Sequence, residues 1–256
     1  MSPSPEPARR TSGPAHPQHQ LLGDALLRPV RGHHAFESCV EQLATAIRLG
    51  AFSHGAALPP ERELAERLGV SRATLREAIA GLRSAGMVRT TRGRGGGTVV
   101  SYRPATPAAG DTTGITGRRD ELLDSLVFRR VVEPGACYVA AGRTLTASER
   151  MLLTTSLAEV DHAPDAATHR QADSRLHLAI ASVTASPMTV EAVTEVQSCL
   201  HDMLTAIPVL EVNIDHSNRQ HRTIVGAIIA GEPTKARRAM EQHCDDTAAL
   251  LRGLLG

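Results

Sequence analysis

Asp173 and His177 stand four residues apart in a stretch of helical periodicity. On a helix that spacing puts a carboxylate and an imidazole one above the other on a single face. His221 and His243 follow on two later helical stretches, 22 residues from each other. Three imidazoles and one carboxylate form a donor set for a first-row divalent ion, with coordination positions left over for water or an anion. Spacing alone leaves a second reading open. The chain holds 12 histidines, and Asp-x-x-x-His pairs also occur in helices that bind nothing, as solvated or core-polar residues. His169 shares the i, i+4 stripe and is an alternative ligand, whereas His201 and His216 fit no pattern and read as surface residues. Hydrolytic chemistry has less support. No His-Glu-x-x-His helix is present, and no acid stands beside the four as an obvious general base.

A different chemistry runs from Leu58 to Val100. Arg72, Thr74 and Arg76 lie near the start of a helix whose Leu75, Ala78, Ile79 and Leu82 face inward, so the polar three point out. Arginine chelates guanine or binds phosphate, and threonine meets phosphate or a thymine methyl. Ser71 caps that helix, Gly69 supplies the turn before it, and Leu64, Ala65 and Leu68 form the inner face of the preceding helix. An earlier helix, Phe36 to Leu49, carries Val40, Leu43, Ala44 and Ile47 on one face. Downstream, two β-prone runs, Met87 to Thr91 and Thr98 to Ser101, flank Arg92-Gly93-Arg94-Gly95-Gly96-Gly97. That glycine-rich tip lets the backbone approach a phosphate or minor groove, and its two arginines provide the charge. The succession predicts a winged helix-turn-helix over residues 35–101, with its recognition helix entering a major groove.

This segment resembles the DNA-binding domain of the GntR family of bacterial regulators, through Leu58-Pro59-Pro60-Glu61-Arg62-Glu63-Leu64-Ala65, Leu68-Gly69-Val70-Ser71-Arg72, Leu75-Arg76-Glu77-Ala78 and Arg92-Gly93-Arg94-Gly95. The resemblance implies that Arg62, Ser71, Arg72, Thr74 and Arg76 contact operator DNA, with Gly93 near the wing tip between Arg92 and Arg94. Residues 119–252 resemble the all-helical FCD effector domain of the FadR-type branch. The matching positions are Arg130-x-x-Glu133-Pro134 with Ala140-Ala141, Asp173-x-x-x-His177, His221-Arg222-x-Ile224, and Ala239-x-x-x-His243. Ser186-Pro187 departs from the family's usual Asn-Pro. By that resemblance Asp173, His177, His221 and His243 ligate a divalent metal, with zinc expected and nickel or manganese as alternatives, beneath a pocket for a small carboxylate. Arg130 could meet that carboxylate, or simply pair with Glu133 or Asp124.

Charge divides along the same line. Residues 35–101 carry +3 and residues 119–256 carry −5, inside a net charge of +1. A basic front and an acidic back suggest that one part binds nucleic acid. Five aromatic residues without tryptophan weaken any reading based on stacking single-stranded bases. Four scattered cysteines read as reduced thiols. With no apolar run of membrane-spanning length and no signal-peptide core, a cytoplasmic location without membrane association is expected. Residues 1–34 read as a disordered tail, with order only near Leu21 to Leu27, and 102–118 as a linker. Residues 119–256 read as about seven antiparallel helices forming an effector-binding and dimerisation domain. Arg175 and Arg237-Arg238 are expected to be solvated. The fold expected is mainly α, a winged helix-turn-helix followed by an all-α bundle. The function expected is a non-enzymatic, homodimeric transcription regulator, a repressor released from a palindromic double-stranded operator by a carboxylate. A metal-sensing regulator, or a metalloenzyme fused to a DNA-binding head, are the alternatives.

Overall fold

The computed structural model describes residues 17–30, 35–91, 97–104, 118–205 and 211–255. Helix α1 spans Pro17–Leu26, followed by α2 (Ala35–Arg48), α3 (Glu61–Leu68) and α4 (Arg72–Ser84). Strands β1 (Val88–Thr91) and β2 (Gly97–Val100) pair antiparallel, Val88 opposite Val100 and Thr91 opposite Gly97. Ala57 bridges to Val99, which adds a third short edge to the wing. The helix-turn-helix follows its local chemistry. Gly69 ends α3 with φ +63°, a left-handed conformation that glycine adopts at no steric cost. Ser71 then caps α4 by accepting the Thr74 amide at 3.0 Å.

Among the described residues, six helices make the second domain: α5 (Arg119–Ala141), α6 (Ala147–Asp161), α7 (Ala166–Ser182), α8 (Pro187–Thr205), α9 (Glu211–Ile229) and α10 (Pro233–Leu255). Thr146 and Glu149 form a reciprocal capping box at the start of α6, and Asp165 caps α7. Pro187 and Pro233 open α8 and α10, where a missing N–H costs nothing. The sequence predicts a break ahead of Pro134, but α5 runs through it as one helix. An interior proline costs roughly 3 kcal/mol. Here Leu122, Leu126, Ala136, Cys137 and Ala140 are all buried on one side of α5, and that burial outweighs the lost hydrogen bond.

One core joins the two domains. Leu22, Leu26 and Leu27 pack with Leu43, Ile47 and Phe52 of the head and with Leu178, Ala181, Val190 and Val193 of the bundle. The sequence predicts a disordered tail over residues 1–34 with order near Leu21 to Leu27; α1 covers most of that stretch, and its leucines fill the seam between domains. A second core lies among α5, α6, α7, α9 and α10. The expected linker falls largely outside the described residues. Among those described, no helix is long and apolar enough to cross a membrane.

Candidate functional site

Helices α7, α9 and α10 bring His177, His221 and His243 together in the bundle interior, all three buried. One ligand atom from each lies within 4.8 Å of the others. Ligands about 2.1 Å from a tetrahedral ion sit roughly 3.4 Å apart, so a small contraction would close the set. Asp173 joins from α7, its Oδ1 3.3 Å from His221 Nε2 and its Oδ2 4.0 Å from His177 Nε2. All four residues expected as ligands therefore converge. His169 does not: its Nε2 meets Asn218 Oδ1 at 3.0 Å.

Surrounding groups orient the rings. His243 Nδ1 donates to Gln220 Oε1 at 3.0 Å, which leaves Nε2 as its lone pair. His177 Nδ1 lies 2.9 Å from Glu133 Oε2, though off the line of a good hydrogen bond. Such outer partners commonly fix the tautomer of a ligating imidazole. Glu133 is itself held by Arg129 Nε at 3.0 Å and Gln197 Nε2 at 2.6 Å. Burial alone would push its carboxyl up, but the Arg129 charge and the His177 and Gln197 contacts bring it down to about 2. Burial alone would raise the Asp173 carboxyl too, but the surrounding imidazoles and the Arg129 charge bring it below its ordinary value. Burial pushes His221 down to about 4 against the partial pull of Asp173. It also drives His243 well below its ordinary value, helped by His221 and Arg129. His221 and His243 are thus neutral near pH 7, with lone pairs available.

Several polar atoms here have no partner. His177 Nε2, both nitrogens of His221 and Arg129 NH1 are buried without a hydrogen bond. Buried polar groups are normally satisfied, so orphans clustered at one point could take a ligand. A divalent ion fits the imidazole nitrogens, and an anion fits the guanidinium.

Arg130, the residue singled out by the sequence, lies half-buried on the flank of α5 that faces α10, and pairs with Asp245 at 2.8 Å and Glu241 at 3.3 Å. Its neighbour Arg129 is the inward one, buried, with NH2 3.0 Å from His243 Nε2. Glu133, Gln197 and Gln220 were also not anticipated as ring-orienting groups. His201 and Arg175, expected at the surface, are both buried.

In the head, Arg72 and Arg76 are exposed on one face of α4, and no hydrogen bond or ion pair engages either among the described residues. Ser71 and Thr74 sit beside them with hydroxyls 2.9 Å apart. Arg62 is exposed and holds Glu66 at 3.1 Å. Such surface pairs are worth well under about 1 kcal/mol and are readily exchanged for a phosphate. Arg92, Gly93 and Arg94 lie outside the described residues.

Residues 36–100 match the family model for bacterial regulatory proteins of the gntR family, and residues 124–246 match the FCD domain. A putative L-lactate dehydrogenase operon regulatory protein of Escherichia coli is 32% identical over 208 residues, covering 74% of this chain and 75% of that protein. The chain belongs to the GntR family. Other members are similar over comparable lengths. The putative regulator RmpR of Mycobacterium gastri is 30% identical, with 81% of this chain and 76% of that protein covered. The transcriptional repressor NanR of Salmonella schwarzengrund is 27% identical, with 91% and 90% covered. This GntR-family protein is accordingly a transcriptional regulator with an FCD effector domain, and not an enzyme.

Proposed function

We propose that the protein is a cytoplasmic homodimeric repressor whose hold on a palindromic operator is released by a small carboxylate. The carboxylate binds beside a divalent ion, most simply zinc, held by Asp173, His177, His221 and His243. The observation that carries this reading is the buried convergence of His177, His221 and His243, with half-buried Asp173 within reach of two of them and with His243 against an arginine whose NH1 has no partner. An ion there would supply fixed positive charge and open coordination positions to an anionic ligand. Arg129 would supply the complementary fork. The one lone pair of His243 Nε2 serves either Arg129 NH2 or an ion, not both, so an occupied centre leaves two guanidinium nitrogens for a carboxylate. A relative named for an L-lactate dehydrogenase operon supports α-hydroxycarboxylates as the class to try first. A repressor among the relatives supports repression.

The reading makes a testable demand on Arg129. In zinc-loaded protein, small hydroxycarboxylates should raise the melting temperature and their neutral amides should not. Arg129→Lys keeps a charge beside Glu133 but removes the planar fork, so it should weaken carboxylate binding by about tenfold, the worth of roughly 1.4 kcal/mol. Equal stabilisation by the amides, or unchanged affinity in the variant, would reject the site.

The outer face of α5 supports the dimer. Val127, Phe128, Val131, Tyr138 and Val139 are exposed there, Val131 by 70%, with Gly135 between them and no charge from 127 to 142 on that face. Isologous packing of such a face onto a second copy generates the two-fold axis that a palindrome needs. Val131→Asp should sediment as a monomer at concentrations where the parent protein is a dimer. A parent that is monomeric, or a variant that still pairs, removes this face from consideration.

A further inference from the structure

We propose that helix α7 couples the two domains, carrying occupancy at Asp173 and His177 to the DNA-binding head through Gln171 and Arg175. The inference rests on the effector site proposed above. Two residues along a helix are about 200° apart, so Gln171 and Arg175 stand back to back with Asp173 and His177. One face of α7 therefore offers the ligand stripe, and the opposite face holds the head.

The hold on the head is specific. Gln171 Nε2 donates to the carbonyls of Ile47 and Arg48, both at 3.1 Å. These belong to the last turn of α2, beyond the reach of amides within the helix itself, and the Ile47 carbonyl also accepts the Gly50 amide at 3.1 Å. A side chain 123 residues away thus caps the first helix of the head. Gly50 has φ +80°, and a Cβ there would fall 2.6 Å from Gln171 Cγ, so the turn after α2 is shaped to receive this side chain. Arg175 NH1 donates to Ser53 Oγ one turn of α7 further on. From the other side α1 closes the seam. A Cβ on Gly23 would fall 2.5 Å from the Phe52 ring, so that ring lies directly on the α1 backbone.

Packing makes α7 an effective transmitter. Its Leu178 and Ala181 belong to the core shared with the head, while Ala172, Leu176, Ala179 and Ile180 belong to the bundle core. Both faces are close-packed, so a shift or rotation that tightens Asp173 and His177 around a ligand must repack the face that grips Ile47 to Ser53. A ligand biases that motion only by its differential affinity for the two arrangements. Gln171 and Arg175 touch neither ion nor effector and act as positioning residues.

Hydrogen exchange of the full-length protein tests this. Zn2+ binding should change amide exchange across Leu49–Ser53 by at least about fivefold, the low end of allosteric coupling. Gln171→Ala should still bind Zn2+ at the parent stoichiometry and unfold cooperatively, but exchange in that segment should no longer respond. If Gln171→Ala fails to fold, Arg175→Met, which loses the Ser53 bond and the Glu159 ion pair but keeps the apolar stem, takes its place. Bound Zn2+ with unmoved Leu49–Ser53 exchange in the parent protein, or a full response in the variant, overturns the coupling. Absence of Zn2+ binding would instead refute the effector site, and metal-free protein then decides the coupling. Asp173→Ala must alter Leu49–Ser53 exchange when Gln171 is present and not when it is alanine. Identical exchange in all four proteins overturns it.

Discussion

Replacing Arg72 and Arg76 together with alanine is expected to abolish specific operator binding while the protein remains folded. Both side chains are exposed and unengaged in the described structure, at the end of α4 that meets base edges when this motif docks. A well-formed arginine–base contact is worth about 1–3 kcal/mol. A dimer loses four such contacts, so affinity should drop by roughly a thousandfold or more and approach the non-specific level. The folding cost should be small, because α4 is held by Leu75, Ala78, Ile79 and Leu82, all buried and untouched by the change. Ser71 is a poorer probe. It caps α4, so Ser71→Ala would cost about 1 kcal/mol of stability and confound the binding result. The measurement is anisotropy of labelled genomic fragments selected by the parent protein, at fixed salt, alongside thermal unfolding. Affinity within a few-fold of the parent would remove α4 as the reading helix. A loss confined to the salt-dependent component would make the two arginines phosphate contacts, with each removed contact lowering the salt slope by about one.

The elements of the head are legible because each is specified locally: a glycine at a left-handed turn, a serine cap, an apolar stripe of period 3.6. The four candidate ligands are legible in part for the same reason, since Asp173 and His177 share one face by spacing. Convergence with His221 and His243 depends on helix packing, which no local pattern encodes, and only the resemblance pointed to it. Arg129 was missed through a single misplaced boundary. Breaking the helix ahead of Pro134 separates Arg129 from Glu133, although on a continuous helix they are i and i+4. On such a helix Leu122, Leu126, Arg129, Glu133, Ala136 and Ala140 form one inward stripe, and that stripe is the signal that distinguishes Arg129 from Arg130. Nothing comparable announces Gln171 or Arg175. Their partners are carbonyls and a hydroxyl more than a hundred residues away, and a lone polar residue in a helical pattern reads as solvated by default. Order near Leu21 to Leu27 was legible, but its docking was not, because the partners of Leu22, Leu26 and Leu27 lie on both the head and the bundle.

His221→Ala combined with His243→Ala is expected to take bound zinc from about one ion per chain to none, because two of the four donors of a site of this kind are lost. Alanine would usually be a harsh change at two buried positions. Here the metal-free parent already holds His221 with neither ring nitrogen bonded, and a buried polar group in that state costs about 1–3 kcal/mol. Removing it offsets part of the cavity created, so the metal-free variant should melt close to the metal-free parent. Zinc should then stabilise only the parent. Acid gives an independent reading of the same residues. His221 titrates at about 4 when folded against an ordinary value of 6.5, and His243 is lowered in the same sense. Between those values the unfolded chain takes up protons that the folded chain refuses. The stability tied to these neutral rings is therefore complete above pH 6.5 and is lost progressively as pH falls towards 4. The double variant should lack that slope. Elemental analysis and melting curves across pH 4 to 7 decide the matter. Equal zinc in both proteins would place the ion elsewhere. An unchanged acid slope would mean that these two imidazoles are not buried neutral bases, and a centre built on their lone pairs would fall with them.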